Sequence, residues 1–395
     1  MELKNVYVND VLDNINIYGR GYYDAKERVL FFNWTNSSIE FTFTGKRILG
    51  DFMADCGIEI DGLPYDDEAP RRKNWPYFGV IIDDAEEFAK TFTININDGI
   101  QKVPLFESDS VETHKIRIIK LSENYKTYGG LVGFDMDGNI VYTDRPDKKR
   151  IEFVGDSITC GFGNGTLDPN GLFHSTDENG YMSHGAIAAR LLNMEASIVS
   201  VSGICSTYID GVPNEYAMDE IYQYLDRPNE DRLYKKDKQI LNKFGELDWS
   251  RKDAPLKDED AYTKWDFAKN HNDIVVINLG TNDRMGIMLS EDQPAAWKSF
   301  LKGYRRFIKQ VRKLNGPDTY IICALGSMDY FLYAEIKDMV EEYIANTDDI
   351  NISTFRYMPI CPFDGYGTGL HPAMVTHKKM AEEIATEIRG LGLVD

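Results

Sequence analysis

From Val29 to about Phe134 the chain is written in short alternating segments. In "SIEFTF" the residues Ile39, Phe41 and Phe43 fall on one face and Glu40, Thr42 and Thr44 on the other, the two-residue period of a half-buried strand. "TFTINI", "HKIRIIKL" and "GIEIDG" repeat the pattern, and Asp61-Gly62 and Asp98-Gly99 supply turn signals. Short alternating strands joined by such turns predict an antiparallel β-sandwich.

After "DRPDKKR", Asp144 to Arg150, the pattern changes. Strand-like runs at Ile151 to Val154, Ala196 to Val201, Ile274 to Leu279, Thr319 to Leu325 and Ile350 to Phe355 alternate with helical stretches. The clearest of these are "HGAIAARLLN", "AAWKSFLKGYRRFIKQVRKL", "YAEIKDMVEEYIA" and "VTHKKMAEEIATEIRG". Strand and helix in alternation predict a doubly wound α/β/α domain, its parallel sheet covered on both faces. The expected division is therefore a sandwich over residues 1–147 and an α/β domain over 148–395. Residues 213–272 are charged and aromatic and too long for a simple crossover, so they read as a partly helical insertion beside the active face.

Composition supports two globular cores: 395 residues exceed a typical single domain, and 43% are hydrophobic. The net charge of −20 repels phosphate backbones and anionic membrane surfaces, so no nucleic acid and no membrane is expected as a partner. Neutral substrates such as sugars remain open, and so does the oligomeric state. Cys56, Cys160, Cys205, Cys323 and Cys361 show neither a CxxC pair nor zinc spacing and read as reduced thiols. "MELKNVYVND" lacks the regions of a secretory signal, which sets the expectation of a cytoplasmic protein.

The candidate chemistry sits at strand ends. "IEFVGDSITCGFG" runs from a buried strand into a glycine-punctuated turn at Ser157, where open α/β sheets bind ligands. "SVSGICS" delivers Gly203, "IVVINLGTND" delivers Gly280, Asn282 and Asp283, and "GTGLHPAMVTHKKMAEEI" places His371 ahead of the last helix. Acyl transfer needs a nucleophile, a base and donors aimed at the developing oxyanion. Ser157 can attack, His371 can take its proton, and Asn282 Nδ2 with the Ser157 and Gly203 amides can hold the oxyanion.

"GDS" at Gly155 to Ser157, Gly203, "GTND" at Gly280 to Asp283 and the late His371 resemble the four ordered blocks of the SGNH (GDSL) hydrolases. Upstream, "YGRGYY", "FFNWTNSSIEFTFTG", "IEIDG" and "THKIRIIKLSEN" are similar to the N-terminal jelly roll of carbohydrate esterase family 2. The resemblance implies an O-acetylesterase acting on acetylated oligosaccharides of the xylan or mannan type through an acyl-enzyme, without a cofactor. Two alternatives stay open: a lipid or thioester hydrolase on the same catalytic domain, and a sugar-binding protein whose catalytic half is degenerate. The family often has an aspartate three residues before its histidine, and here that position is Thr368. A Ser-His dyad oriented by a backbone carbonyl is favoured, with Asp364 as the possible triad acid.

His377 on the last helix reads as a capped or half-exposed residue explained by helical packing, and His114, His174, His184 and His271 have no metal-ligand spacing among themselves. Asp283 reads as fixing its loop. Trp75, Tyr77, Trp265 and Trp297 are aromatics able to stack on a sugar, although most such residues are core.

Overall fold

The computed structural model describes residues 3–61, 68–97, 99–124, 127–209, 215–248 and 257–394. Two compact units make up the chain: Met1–Asp147 with His174–Tyr181, and Lys148–Phe173 with Met182–Asp395. The turn residues Gly62 and Asp98 lie outside the described residues, as does Pro213.

Among the described residues every strand pairing of the first unit is antiparallel, with ten strands in one sheet and a separate hairpin of Gly57–Ile60 with Arg71–Asn74. Its backbone is the pairing of two long strands, Ser38–Asp55 and Gln101–Lys120, whose register shifts between Pro104 and Phe106 and again between Glu107 and Glu112. Bulges of this kind bend a strand, so that one ladder can turn its apolar face inward along its whole length. Ile39, Phe41 and Phe43 are fully buried there, with Phe52, Phe78, Ile116, Ile118 and Phe134 in the same core. The alternation read from the sequence is the alternation that buries them. Residues 174–181, placed by sequence pattern in the second domain, belong to this unit because Gly180 N donates to Leu121 O at 2.8 Å and Glu178 accepts from Glu123 N at 2.9 Å.

The second unit holds a five-stranded parallel sheet in the spatial order Glu195–Ser200, Arg150–Gly155, Ile274–Asn278, Tyr320–Leu325, Ile352–Arg356. In chain order this is 2-1-3-4-5, which puts a topological switch point beside the Arg150–Gly155 strand. Helices His184–Leu191, Gln293–Asn315, Tyr333–Thr347 and Met374–Gly390 agree with the periodic stretches to within about two residues. The three central strands, Arg150–Gly155, Ile274–Asn278 and Tyr320–Leu325, have largely apolar buried interiors, as burial on both faces demands. The expected insertion contributes helices Met218–Ile221 and Arg227–Lys238, anchored on buried Asp231, which accepts from Tyr216 Oη at 2.8 Å and from Tyr262 Oη. Its start is tied to the loop after the Glu195–Ser200 strand, since Met218 N donates to Cys205 O at 2.9 Å and Asp219 N to Ser206 O at 3.1 Å. No described helix is long and apolar enough to cross a membrane, and all five cysteines are free thiols.

One buried residue breaks the apolar pattern. Glu152 sits fully buried in the Arg150–Gly155 strand, where its carboxylate accepts from Ser197 Oγ at 2.9 Å, Tyr222 Oη at 2.8 Å and Asn272 Nδ2 at 3.3 Å. Asn315 extends the network by donating to the same tyrosine at 2.8 Å. The carboxylate thus ties two strand ends, the insertion and the Gln293–Asn315 helix together. Removing it orphans several buried donors, so Glu152→Ala is expected to cost roughly 2–4 kcal/mol in urea unfolding, whereas Glu152→Gln, which still accepts, costs much less. Equal midpoints for the native protein and the alanine variant would show that the network contributes nothing net.

Candidate active site

Ser157 opens a short helix, Ser157–Cys160, directly after the Arg150–Gly155 strand. Asp156 caps that helix by accepting from Ile158 N at 3.0 Å. Gly155 is required by space, because a Cβ there would lie 2.0 Å from Thr159 Oγ1 and 3.1 Å from Asn278 O. The serine is 8% exposed, so its hydroxyl is sheltered yet reachable. As the first residue of a helix it presents an N–H with no intrahelical acceptor.

His371 reaches this hydroxyl from the other end of the chain: Nε2 lies 2.9 Å from Ser157 Oγ. Its Nδ1 lies 3.1 Å from Thr368 O and 3.2 Å from Gly369 O. Carbonyl oxygens only accept, so Nδ1 carries the proton and Nε2 presents its lone pair to the serine. The turn that aims these carbonyls needs left-handed backbone at Gly369 and Leu370, both at φ 63°. Gly367 N donates to His371 O at 2.8 Å and closes the loop. Against the ring lies Phe162, tilted 47° to it with 4.6 Å between centroids and itself stacked on Phe173 at 3.9 Å. Burial lowers the His371 pKa, partly offset by the two carbonyls, which favour the charged ring.

Asp364, the possible triad acid, is turned elsewhere: its Oδ2 accepts from Lys379 Nζ at 2.6 Å. The three-residue turn Pro362–Asp364 ends at Gly365, φ 77°, and sends the side chain toward the last helix. His377 is not half-exposed but fully buried, stacked on His184 at 5.8 Å and accepting from His184 N at 3.1 Å through Nδ1. Burial, with the neighbouring imidazoles, pushes its pKa far down, so it is a neutral packing residue.

Asn282 and Asp283 lie in the first turn of the Thr281–Leu289 helix, an element not read from the sequence. Asn282 Nδ2 donates to Ile204 O at 3.1 Å and to Asp156 Oδ2 at 3.3 Å, bridging three strand ends. Asp283 is fully buried and accepts from Ser206 Oγ at 2.6 Å and Ser206 N at 3.0 Å, which pins the loop that begins at Gly203, φ 78°. Burial raises its pKa to about 6 against the pull of the Ser206, Asp283 and Thr207 donors. Ser157, Gly203, Asn282 and His371 therefore all lie in segments beyond the carboxyl ends of one sheet's strands, two of them in the first turns of helices. Phe162 and Asp156 are members that sequence reasoning passed over; of the two only Asp156 had a signal, being an N-cap residue type before a helix.

The remaining candidates lie apart from the dyad's hydrogen bonds. His114 bonds Asp83 at 2.6 Å and Glu112 at 2.9 Å, and His174 Nδ1 lies 3.3 Å from Arg72. Trp75, Tyr77 and Trp265 are half-buried. Trp297 packs edge-on against Phe331, 6.1 Å between centroids, and Phe331 is 58% exposed.

Comparison with known proteins matches two family models: GDSL-like lipase/acylhydrolase over residues 151–384 and the carbohydrate esterase 2 N-terminal domain over residues 17–146. The cellulase/esterase CelE of Acetivibrio thermocellus is 28% identical over 90% of this chain, which spans only 37% of that protein. The acetylxylan esterase/glucomannan deacetylase of Cellvibrio japonicus is 25% identical over 92% of this chain and 89% of its own length. A family two carbohydrate esterase from Clostridium thermocellum, solved with cellohexaose, superposes with a TM-score of 0.73 at 26% identity, covering 96% of this chain and all of that one.

Two outcomes follow from the geometry. A base works only when neutral, and burial holds the His371 pKa down, so the acid limb of kcat/KM for an ester is expected below the ordinary histidine value of about 6.5. A midpoint above that value would mean that an anionic partner raises it. Asp364→Asn is expected to leave kcat nearly unchanged, because its carboxylate faces Lys379; a fall of about 10⁴ would identify it as the orienting acid.

Proposed function

The chain belongs to the GDSL-like lipase/acylhydrolase family, in its carbohydrate esterase family 2 branch, and from that premise we propose that it removes O-acetyl groups from plant-type polysaccharides, xylan or mannan. The observation that carries the reading is the 2.9 Å approach of His371 Nε2 to Ser157 Oγ, with the opposite nitrogen fixed by two carbonyls. In the proposed cycle Ser157 Oγ attacks the acetyl carbonyl carbon while its proton passes to His371 Nε2. The carbonyl oxygen becomes an oxyanion, met by the Ser157 and Gly203 amides and by Asn282. Both protons of the Asn282 amide are engaged at rest, and its longer bond, to Asp156, is the one an oxyanion would replace. Collapse expels the sugar oxygen, which takes the proton from the imidazolium. Water, deprotonated by the same nitrogen, then cleaves the acetyl-enzyme to acetate. Apart from water and the ester, every group named in this cycle is a residue of the chain.

Acetyl release from acetylated xylan, glucomannan and cello-oligosaccharides tests the reading, with NMR locating the hydroxyls that are cleared. Ser157→Ala is expected to retain the fold and only the residual ~10³ to 10⁴ over water that the rest of such a site supplies. Faster cleavage of octanoyl than acetyl nitrophenyl ester would place the protein among lipid hydrolases instead.

A further inference from the structure

The Gln293–Asn315 helix carries seven cations and no acidic residue, in a chain whose net charge is −20. At about 100° per residue these cations share roughly a third of the helix circumference, and the opposite face buries Phe300, Tyr304, Phe307 and Val311. The three arginines among them are already committed. Arg305 pairs with Glu342 at 2.6 Å, Arg306 with Asp219, and Arg312 with Asp349 at 2.7 Å. Lys298, Lys302, Lys309 and Lys313 are exposed, and none has an ion-pair partner among the described residues. Their spacing of i, i+4, i+11 and i+15 aligns them within about 60° of arc, a row roughly 22 Å long. An open groove of about 680 Å³ follows this face, lined by Lys298, Leu301, Lys302, Arg305, Arg306, Lys309 and Glu342.

A merely solvated helix face mixes signs, since like charges four residues apart destabilise a helix. Here Lys298 and Lys302, and Lys309 and Lys313, stand four apart with no carboxylate between them. The row is also coupled to the catalytic edge. Gly303 lies so close to Thr207 that an added Cβ would approach its Cγ2 to 2.3 Å, and Arg306 donates to Thr207 Oγ1 at 3.2 Å. Thr207 follows Ser206, which Asp283 holds beside Asn282.

We propose that this lysine row is a binding track for an anionic polysaccharide, a glycan chain bearing uronic-acid carboxylates, that holds the polymer beside the catalytic dyad. It rests on the reading of the protein as a carbohydrate esterase and narrows the substrate class to acetylated glycans that carry acidic substituents. The chemistry favours this partner over others. Free ammonium groups are point charges suited to dispersed carboxylates, whereas paired phosphate recognition favours arginine forks, and the arginines here are spent. Lysine is depleted in protein–protein interfaces, which are built around aromatic and apolar anchors, and the groove offers only Leu301 in that role. A nucleic acid would set a phosphate at every nucleotide against a chain of net charge −20, a far denser anion than a glycan with scattered uronates.

The test uses the full chain in affinity electrophoresis through gels containing deacetylated glucuronoxylan, or the same polymer with its carboxyl groups reduced to alcohols. Retention by the uronate polymer is expected, falling between about 50 and about 200 mM salt and absent with the reduced polymer. The combined Lys298→Gln, Lys302→Gln, Lys309→Gln, Lys313→Gln variant should bind about tenfold more weakly, and the corresponding four-arginine variant should keep its binding. Hydrolysis of a small acetyl ester should be unchanged in both variants, which reports an intact fold and dyad. Loss of that hydrolysis in the native protein would count against the esterase reading alone, since retention needs no turnover. Equal retention by the reduced polymer, or an unaffected glutamine variant, overturns the proposal. Concentration-dependent self-association that the glutamine variant abolishes, with no polymer retention, would assign the row to the acidic surface of a second copy and overturn it as well.

Discussion

The site depends on the hydrogen bonds from His371 Nδ1 to the carbonyls of Thr368 and Gly369. They decide which nitrogen carries the proton, and so whether the lone pair on the other faces Ser157 at all. Everything around the loop serves to aim those two oxygens. Gly369 and Leu370 take left-handed backbone, which for a leucine costs on the order of 1 kcal/mol. The strain persists because the loop is held from both sides, by Gly367 N on His371 O and by Thr368 N on Gly163 O. Gly163 is in turn glycine for lack of room, since a Cβ there would come within 3.0 Å of the Thr368 backbone.

The nucleophile's side is organised by buried carboxylates. Asp156 caps the helix that carries Ser157 and also accepts from Asn282, and Asp283 grips Ser206 in the loop that begins at Gly203. A parallel sheet delivers its strand ends to one edge, but the loops beyond them are held by no ladder. Carboxylates that accept several donors at once cross-link them. Asp283 shows what burial does to such a group. With its pKa raised to about 6, the folded state binds the proton more readily than the unfolded chain, so its contribution to stability declines as pH rises from about 4 to about 6.

The architecture was legible wherever burial imposes a period. "SIEFTF" and "IVVINLG" show their strands because a sheet with one buried face alternates and a sheet buried on both does not. Ser157 and Asn282 stood out because polar residues follow their strands within a few positions, where a doubly wound sheet opens to ligand, and His371 because it stands in a loop just ahead of the last helix. What the residue pattern hid was set by backbone and by distant partners. The Thr368 carbonyl has no side-chain signature. Glu152 looks like an error inside an apolar strand until Tyr222 and Asn272 arrive from later in the chain. The 174–181 segment joins the first unit through a few hydrogen bonds that no local pattern announces.

Orientation of a base by carbonyls and orientation by a carboxylate are not equivalent. A buried carboxylate stabilises the imidazolium that forms during proton transfer, and by the same interaction it raises the pKa of the resting histidine. Two carbonyl dipoles stabilise it less, and at His371 they do not overcome burial, so the net shift is downward. The base is weaker for that, but it stays unprotonated further into acid. The imidazolium can gain support elsewhere: Phe162, tilted 47° to the ring with centroids 4.6 Å apart, is within the ~6 Å at which an aromatic ring attracts a cation. Stabilisation of that kind is selective for the charged state formed in the reaction and adds no fixed charge to a chain already at −20.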